Sequence, residues 1–470
     1  MPEKMFCHGC TGDPVLGAEI RASGRKARCR YCDRFRKAWP MSRLAERIHQ
    51  VLRANYHVVH PGPYDHYGFG SGDDAAFTIT EMARLDDERI GDDIREILSE
   101  RYGYQAQYDG ESDPYGPDVA YVFNHADTSE LHLSWSTFCE LLKTQSRFFN
   151  STARGMLDNI FGDLEELNAG LQRPVIRTYG TSSPRRFFRG RVATTEAALE
   201  RILANPAQEM APPPADCARV GRMNGLGIST FYGALDQETC LAELRAPVGS
   251  HVVITAFENV RPLRLLDMDR LRSISVGGSM FADNFRQQHE LAAFLGRLVE
   301  ELSRPIMPGS EEMDYLPTQA VAEYLADRDD LNLDGMLFPS SQRRDGQLNI
   351  VLFHRASRAS GKRIPKGSET SMLGPRRTED GDPDEICVWV RTPAPRRKAR
   401  LRPVVSIADM IFEPAVPVRE EADADWRSVS LKWVPSLLDV YAITEVSYQT
   451  ERHAVRRTLE RKGKREKWRL

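Results

Sequence analysis

Apolar residues recur at helical spacing through the first third of the chain. In SRLAERIHQVLRANY (42–56) Leu44, Ile48, Val51 and Leu52 fall on one face, with Ser42 placed as an N-cap. The segments DDERIGDDIREILSERY (86–102), STFCELLKTQSRFF (136–149) and ARGMLDNIFGDLEEL (153–167) keep the same period, so residues 39–172 read as a helical bundle. The period then changes. HVVITAF (251–257) and GQLNIVLF (346–353) have strand patterns, while Leu291, Phe294, Leu295, Leu298 and Leu302 share one face of a helix expected over 284–302. Residues 173–450 therefore read as mixed α/β, that is α+β. Between 356 and 385 the chain turns rich in Gly, Ser, Pro and charge, which predicts a loop or disordered insertion. Strand patterns resume in ICVWV (386–390) and VYAITEVSYQT (440–450). The Gly-rich run YGFGSGDD (67–74) follows no strand and precedes acids, so it reads as a flexible loop rather than a phosphate cradle.

With 470 residues, 41% of them hydrophobic and 28% charged, the chain can bury two or three cores. No apolar run approaches the roughly 18 residues needed to span a bilayer, and MPEKMFCHGC shows no apolar export segment. We expect a soluble cytoplasmic protein without membrane partners. The net charge of -3 hides a basic tail over 451–470.

Cys7, Cys10, Cys29 and Cys32 form C-x2-C, eighteen residues, then C-x2-C, spacing that lets two knuckles close a tetrahedral thiolate site. A structural zinc module over 1–38 is the reading; a pair of disulfides is the alternative, disfavoured by the scattered Cys139, Cys217, Cys240 and Cys387. Arg21, Arg25, Lys26 and Arg28 lie between the pairs and Arg30 within the second, so a basic face touching nucleic acid stays open beside a merely solvated one.

The densest chemistry is GRMNGLGISTFYGALDQETCLAELRAP (221–247). It sets Arg222, Tyr232 and Glu243 near one another among glycines, and LDGMLFPSSQ (333–342) adds Ser340 on a turn. A cation, an aromatic face and a carboxylate suit a phosphorylated, ring-bearing substrate. Arg222 can grip phosphate through its planar fork or form a surface ion pair. Glu243 can answer developing positive charge or lie on an exposed helix turn. Tyr232 can stack or donate, or belong to the core; Asn224 and Asn349 can support ligand or loop.

The order and spacing of GRMN, the tyrosine, the glutamate and the later FPSS with NIVLF resemble the RES domain, over roughly Arg173 to Thr450. The resemblance implies an ADP-ribosyltransferase-like fold and a bacterial toxin that degrades NAD. NAD is then substrate, split at its nicotinamide bond, with inorganic phosphate as the expected co-substrate; water, or a macromolecule receiving ADP-ribose, is the alternative acceptor. It implies catalytic roles for Arg222, Tyr232, Glu243 and Ser340 and substrate binding by Arg189 in RRFFRGRVA (185–193), Asn224 and Asn349. Met223 departs from the family, which usually carries tryptophan there. The bundle is similar to the HEPN-type domain of larger RES proteins. Catalytic HEPN ribonucleases carry Arg and His four to six residues apart late in the bundle, whereas here that pair is Arg43 and His49 in the first helix. The bundle thus reads as regulatory or for assembly. An antitoxin or regulatory protein, nucleic acid at the zinc module or tail, and a homo-oligomer are the partners left open. The rival of another class is a nucleic-acid-binding protein or ribonuclease.

Overall fold

The computed structural model describes every residue except 1–2, 60–71, 109, 111, 170–172, 275–276, 305, 307–308, 310, 344, 362–363, 366, 377–384, 394–424, 448–449 and 456–470. Most of the Gly-rich run, part of the 356–385 segment and most of the basic tail therefore lie outside the described residues.

A three-stranded antiparallel sheet opens the chain, in the order β1 (Met5–Cys7), β3 (Phe35–Pro40), β2 (Arg25–Arg28). Helix α1 (Pro14–Ser23) starts where the Asp13 carboxylate accepts the Val15 and Leu16 N–H groups, with Pro14 supplying a pre-set φ. Helix α2 (Met41–Asn55) leaves β3 without a linker. Its cap is Pro40, so Ser42 lies inside the first turn, not at the expected N-cap, and its hydroxyl bonds to Glu3. The hairpin β4 (Tyr56–Val59) with β5 (Ala120–Phe123) encloses α3 (Ala75–Ala83), α4 (Glu88–Leu98), a π-helical turn at Ser99–Gly103, and α5 (Tyr104–Tyr108). Phe6, Leu16, Ile20, Trp39, Leu44, Ile48, Ile79, Ile90 and Ile94 join three of the four cysteines in one core. The cysteine unit and the first helices are thus a single packed body.

Helices α6 (Ser129–Thr144) and α7 (Ser151–Phe161) pack instead on later elements. Trp135, Phe138, Leu157 and Phe161 share a core with α12 (Phe285–Ser303) and α14 (Leu316–Asp327). Two short strands, β6 (Asn168–Ala169) and β7 (Arg173–Pro174), close this connection.

The centre of the second half is a nine-stranded mixed sheet among the described residues. Its members are β8 (Ile176–Tyr179), β9 (Arg186–Ala193), β10 (Phe231–Ala234), β11 (His251–Asn259), β12 (Leu263–Asp267), β13 (Gly335–Pro339), β14 (Leu348–Leu352), β15 (Ala359–Ser360) and β18 (Leu431–Ala442). They run in the order β15-β18-β11-β9-β10-β14-β13-β12-β8, with β15–β18 and β12–β13 parallel and the rest antiparallel. Pro435 cannot donate to a ladder, and the register of β18 on β11 shifts there, between Thr255 and Ala256. Helices α8 (Glu196–Ala204) and α9 (Pro206–Glu209) cover one face; α10 (Gln237–Leu244) lies on the other, against Gly190 of β9. Helices α11 (Met268–Arg272) and α13 (Glu311–Asp314) complete the set.

Two expectations about strands also shift. The segment read as a loop holds β16 (Glu369–Arg376), which pairs with β17 (Glu385–Arg391) in a separate hairpin, because Thr370, Met372, Val388 and Val390 alternate well enough to pair. The last sheet strand starts at Leu431, nine residues before the expected VYAIT, since the bulge at Pro435 lets one strand absorb a proline. No helix among the described residues is long and apolar enough to cross a membrane.

Candidate active site

Strands β9 and β10 share a single Cα pairing, Ala234 with Phe188, so the sheet splits beside it. At this split β10 turns into α10, whose start is fixed by Asp236 accepting the Thr239 N–H at 2.8 Å. The helix ends one residue after Glu243, at Leu244, and the capping Arg245 adopts the left-handed conformation, φ 45°. Glu243 is thereby held in the last turn, half-buried, above the neighbouring strands.

Two donors meet one oxygen of Glu243. The Ser340 hydroxyl donates to Oε1 at 2.6 Å and the Asn349 amide donates to the same atom at 2.8 Å. Among the described residues no hydrogen bond engages Oε2. The carboxylate is oriented through one oxygen and presents the other. Ser340, 8% exposed, follows β13 and also accepts the Gln342 and Arg343 N–H groups at 3.2 and 3.3 Å, so its turn is held by the hydroxyl itself. Asn349 lies opposite Phe338 and Ala234 in the sheet register, which aims it at α10.

The GRMN loop is organised by Tyr232. Its hydroxyl donates to Asn224 Oδ1 at 2.7 Å and accepts the Met223 N–H at 3.0 Å. The Asn224 amide donates to the carbonyls of Arg219, Gly225 and Ile228. Asn224 is therefore a buried loop clamp, and the Tyr232 hydroxyl is occupied with that loop. A Cβ at Gly221 would lie 2.5 Å from Asn224 Oδ1 and 2.7 Å from the Tyr232 oxygen, so only glycine fits. Burial pushes the Tyr232 hydroxyl up to about 12, keeping it protonated as the bonding requires. Met223, where the resembled family has tryptophan, is buried in the core shared with α12 and α14.

Arg222 is half-buried, and its guanidinium donates to the main-chain carbonyls of Ser303, at 3.4 Å, and Arg304, at the end of α12. Burial lowers its pKa against the opposing pull of Tyr315, Glu243 and Tyr232, so it lies in the field of the carboxylate. Sequence reasoning missed the partners that hold this loop. Thr318 Oγ1 donates to the Arg222 carbonyl at 2.5 Å, and Gln319 Nε2 donates to the carbonyls of Gly221 and Asn224 at 2.7 and 3.1 Å. Nothing in YLPTQA marks these two residues in advance; only the fold brings α14 onto the loop.

Arg189 stands apart from Glu243. It shares the face of β9 carrying Phe187 and Arg191, whereas Gly190 faces α10. It donates to the Tyr232 carbonyl at 2.7 Å, lies 5.5 Å over the Phe231 ring, and has a buried Nε without a partner. Burial, then the nearby Arg191, lowers its pKa to about 10. The expected grouping thus divides into a front set of Glu243, Ser340, Asn349 and Arg222, a loop pair of Tyr232 and Asn224, and Arg189 behind the strand.

Cys7, Cys10, Cys29 and Cys32 converge, with all four sulfurs within 4.8 Å of one another, and could hold a metal ion. Sγ separations are 3.5 Å for Cys7–Cys32, 3.7 Å for Cys10–Cys29 and 3.8 Å for Cys7–Cys10. Burial raises the Cys7 thiol to about 11 and Cys10 further. At Cys32 burial is outweighed by the Arg34 N–H and the neighbouring thiols, and the value falls to about 7. A cation would stabilise all four thiolates. All eight cysteines are free, so the disulfide alternative is not what the structure contains.

The Arg43–His49 pair does not form. Arg43 lies 4.2 Å over the Trp39 ring, while His49 stacks on Tyr102 and bonds to the Tyr115 hydroxyl at 2.5 Å.

A family model of the RES domain matches residues 197–373, and a model of the HEPN/RES N-terminal domain 1 matches residues 22–154. No curated protein matches the chain. The first match contains Arg222, Tyr232, Glu243, Ser340 and Asn349; the second contains Cys29, Cys32 and the helices α2, α3 and α4 of their core. With a RES domain behind a HEPN/RES N-terminal domain, the chain matches the RES-type proteins in their larger form.

Proposed function

We propose that the protein degrades NAD by phosphorolysis, acting as a bacterial toxin or defence effector. The RES domain points to NAD as substrate. The observation that carries the chemistry is the carboxylate of Glu243, tied by Ser340 and Asn349 through Oε1 with Oε2 presented and Arg222 in its field. Cleaving the nicotinamide–ribose bond builds positive charge on the sugar, in a transition state akin to glycoside hydrolysis. A carboxylate fixed beforehand stabilises that charge without reorganising. Arg222 has guanidinium donors beyond the two directed at Ser303 and Arg304, and these bind an anionic oxygen, either of the NAD pyrophosphate or of inorganic phosphate. Phosphate attacks the ribose carbon as the bond to nicotinamide breaks, nicotinamide leaves with the bonding pair as a neutral ring, and no water need be deprotonated. The products are nicotinamide and ADP-ribose 1''-phosphate. Ser340 and Asn349 orient Glu243; Tyr232 and Asn224 shape the loop that carries Arg222; Arg189 supports the split strand from behind.

The four-cysteine site is proposed to hold structural zinc. Thiolates about 2.3 Å from a tetrahedral zinc are about 3.8 Å apart, close to the 3.5, 3.7 and 3.8 Å of three of the six sulfur pairs, with all six within 4.8 Å. Four ligands leave no open position, so the ion has no catalytic part. As functional units we propose 1–38 for the metal, 39–172 for regulation or assembly, 173–450 for catalysis and 451–470 as a basic tail.

The test is product analysis of the full-length protein with NAD, with and without phosphate, by phosphorus NMR or mass spectrometry. Phosphate should accelerate NAD loss and appear in the product, and Glu243→Gln should lower kcat by roughly 100-fold or more with little change in KM. Plain ADP-ribose at a phosphate-independent rate would make the protein a hydrolase, and label on protein or nucleic acid a transferase. Intact NAD with cleaved RNA would replace this function with the ribonuclease reading.

A further inference from the structure

The four-cysteine unit and Arg222 are connected by one helix. Just before α12, Ser279 Oγ donates to Asp13 Oδ1 at 2.7 Å, and Asp13 is also the cap of α1, three residues after Cys10. Phe281, 1% exposed, is buried in the core that contains Cys7, Cys10, Leu16 and Ile20. Arg47 of α2 donates to the Phe281 carbonyl at 2.7 Å while pairing with Glu19 of α1 at 2.9 Å. A segment within the RES match is thus plugged into the metal-bearing unit.

The same unit and its continuation hold α12 along its length. Phe123 of β5 packs on Phe285 and His289, with centroids 6.5 and 5.0 Å apart. His132 of α6 packs on Phe294, and Trp135 Nε1 donates to Glu301 at 3.0 Å. The helix has 19 residues and so spans about 28 Å. Its far end provides the Ser303 and Arg304 carbonyls that accept from Arg222. Carbonyls at a helix C-terminus carry partial negative charge and lack partners within the helix, which suits a guanidinium.

A helix is stiff along its axis, so its two ends do not move independently. We infer that α12 is a strut through which the N-terminal unit positions Arg222, so that metal loading at Cys7, Cys10, Cys29 and Cys32 sets how tightly the active site holds a phosphate group. The inference rests on the proposed function only in taking Arg222 as the anion contact. Loosening the plug at Ser279–Phe281 frees α12 to shift, unseats Arg222 and weakens anion binding, leaving Glu243 in place on α10.

Two measurements on the full-length protein test this. Hydrogen exchange is read over 219–225 and 298–304, without NAD, for the metal-loaded protein, the metal-stripped protein, Phe281→Ala and Phe281→Leu. Affinity for inorganic phosphate, or KM and kcat where NAD turns over, is measured in parallel. Stripped protein and Phe281→Ala should exchange faster in both segments and bind phosphate roughly tenfold more weakly, the worth of about one charge-assisted hydrogen bond. Turnover at saturation should stay within about twofold, and Phe281→Leu should recover most of the affinity. If Phe281→Ala does not fold, Ser279→Ala, which removes only the hydroxyl bond to Asp13, takes its place with the same expectation. Faster exchange confined to residues 5–59 with phosphate affinity unchanged would overturn the strut, as would tighter binding or a fall in kcat at constant KM. Because exchange is read without substrate, a protein that leaves NAD intact fails the proposed function and still tests the strut.

Discussion

Tyr232→Phe removes one oxygen and should cost far more than its size suggests. The hydroxyl donates to Asn224 Oδ1 at 2.7 Å and accepts from the Met223 N–H at 3.0 Å. Both partners are buried, Asn224 at 4% and Met223 at 7% exposure. An exposed hydroxyl of this kind would contribute about 1 kcal/mol per bond, since water would replace it. Here the vacated space is about one oxygen atom, below the volume a water molecule needs, and Gly221 packs against it. Each of the two abandoned groups then bears its desolvation penalty, about 1–3 kcal/mol apiece, so we expect a loss of about 2–6 kcal/mol. Equilibrium unfolding in denaturant measures it, and a double-mutant cycle with Asn224→Ala isolates the shared bond, with a coupling of about 1–2 kcal/mol. KM should rise with the loss, because the loop carries Arg222. A cost below about 0.5 kcal/mol, additive with Asn224→Ala, would refute the reasoning and return the hydroxyl to a direct role on substrate.

Two further outcomes are expected. Metal analysis should find about one zinc per chain, and Cys29→Ser should destabilise α1 and the core packed on it; protein without metal whose four thiols all react freely would count against the site. Alkaline pH should also destabilise the fold. Burial raises Tyr232 and Tyr324 to about 12, and Tyr31, Tyr115 and Tyr121 higher still, whereas unfolded tyrosines ionise near 10. The stabilisation is therefore complete below about pH 10 and is lost as pH climbs through 12; an unfolding midpoint constant from pH 9 to 11.5 would exclude it.

How much of this could be read in the chain varies with the range of the interactions. The period of Leu44, Ile48, Val51 and Leu52 is local and finds α2 to within a residue at each end. The strand of 251–257 and the helix of 284–302 are found almost as closely, at His251–Asn259 and Phe285–Ser303. Ser340, Glu243 and Asn349 stand out as candidates in sequence, and the fold brings them within hydrogen-bond distance although Ser340 and Glu243 are 97 residues apart. What local pattern cannot show is which face a side chain takes. Arg189 sits in an attractive motif, yet alternation along β9 turns it away from α10, and the register that decides this is a property of the partner strands. Thr318 and Gln319 escape notice because their role is made by where α14 lands. Of the hairpin β16–β17 the second strand is legible in ICVWV, whereas β16 escapes because its glycine, proline and charges mask a short alternating run.

The burial of Phe281 also sets a constraint in time. The rest of its core is in place once Tyr121 has been made, but the ring that fills it lies 160 residues further along the chain. At about 5–20 residues per second, synthesis leaves that socket open for roughly 8–30 s. The amino-terminal unit of a nascent chain therefore has a hydrophobic hole, shaped for a phenylalanine, that nothing of its own can yet close. Until it closes, the segment leading into α12 lacks its seat, and Glu243 has been synthesised before the segment that holds Arg222 exists. A ribosome making this protein supplies the Glu243 side chain first, the carbonyls that seat Arg222 next, and Ser340 and Asn349, which orient the carboxylate, last; until Phe281 arrives the chain is open to whatever else can occupy the socket.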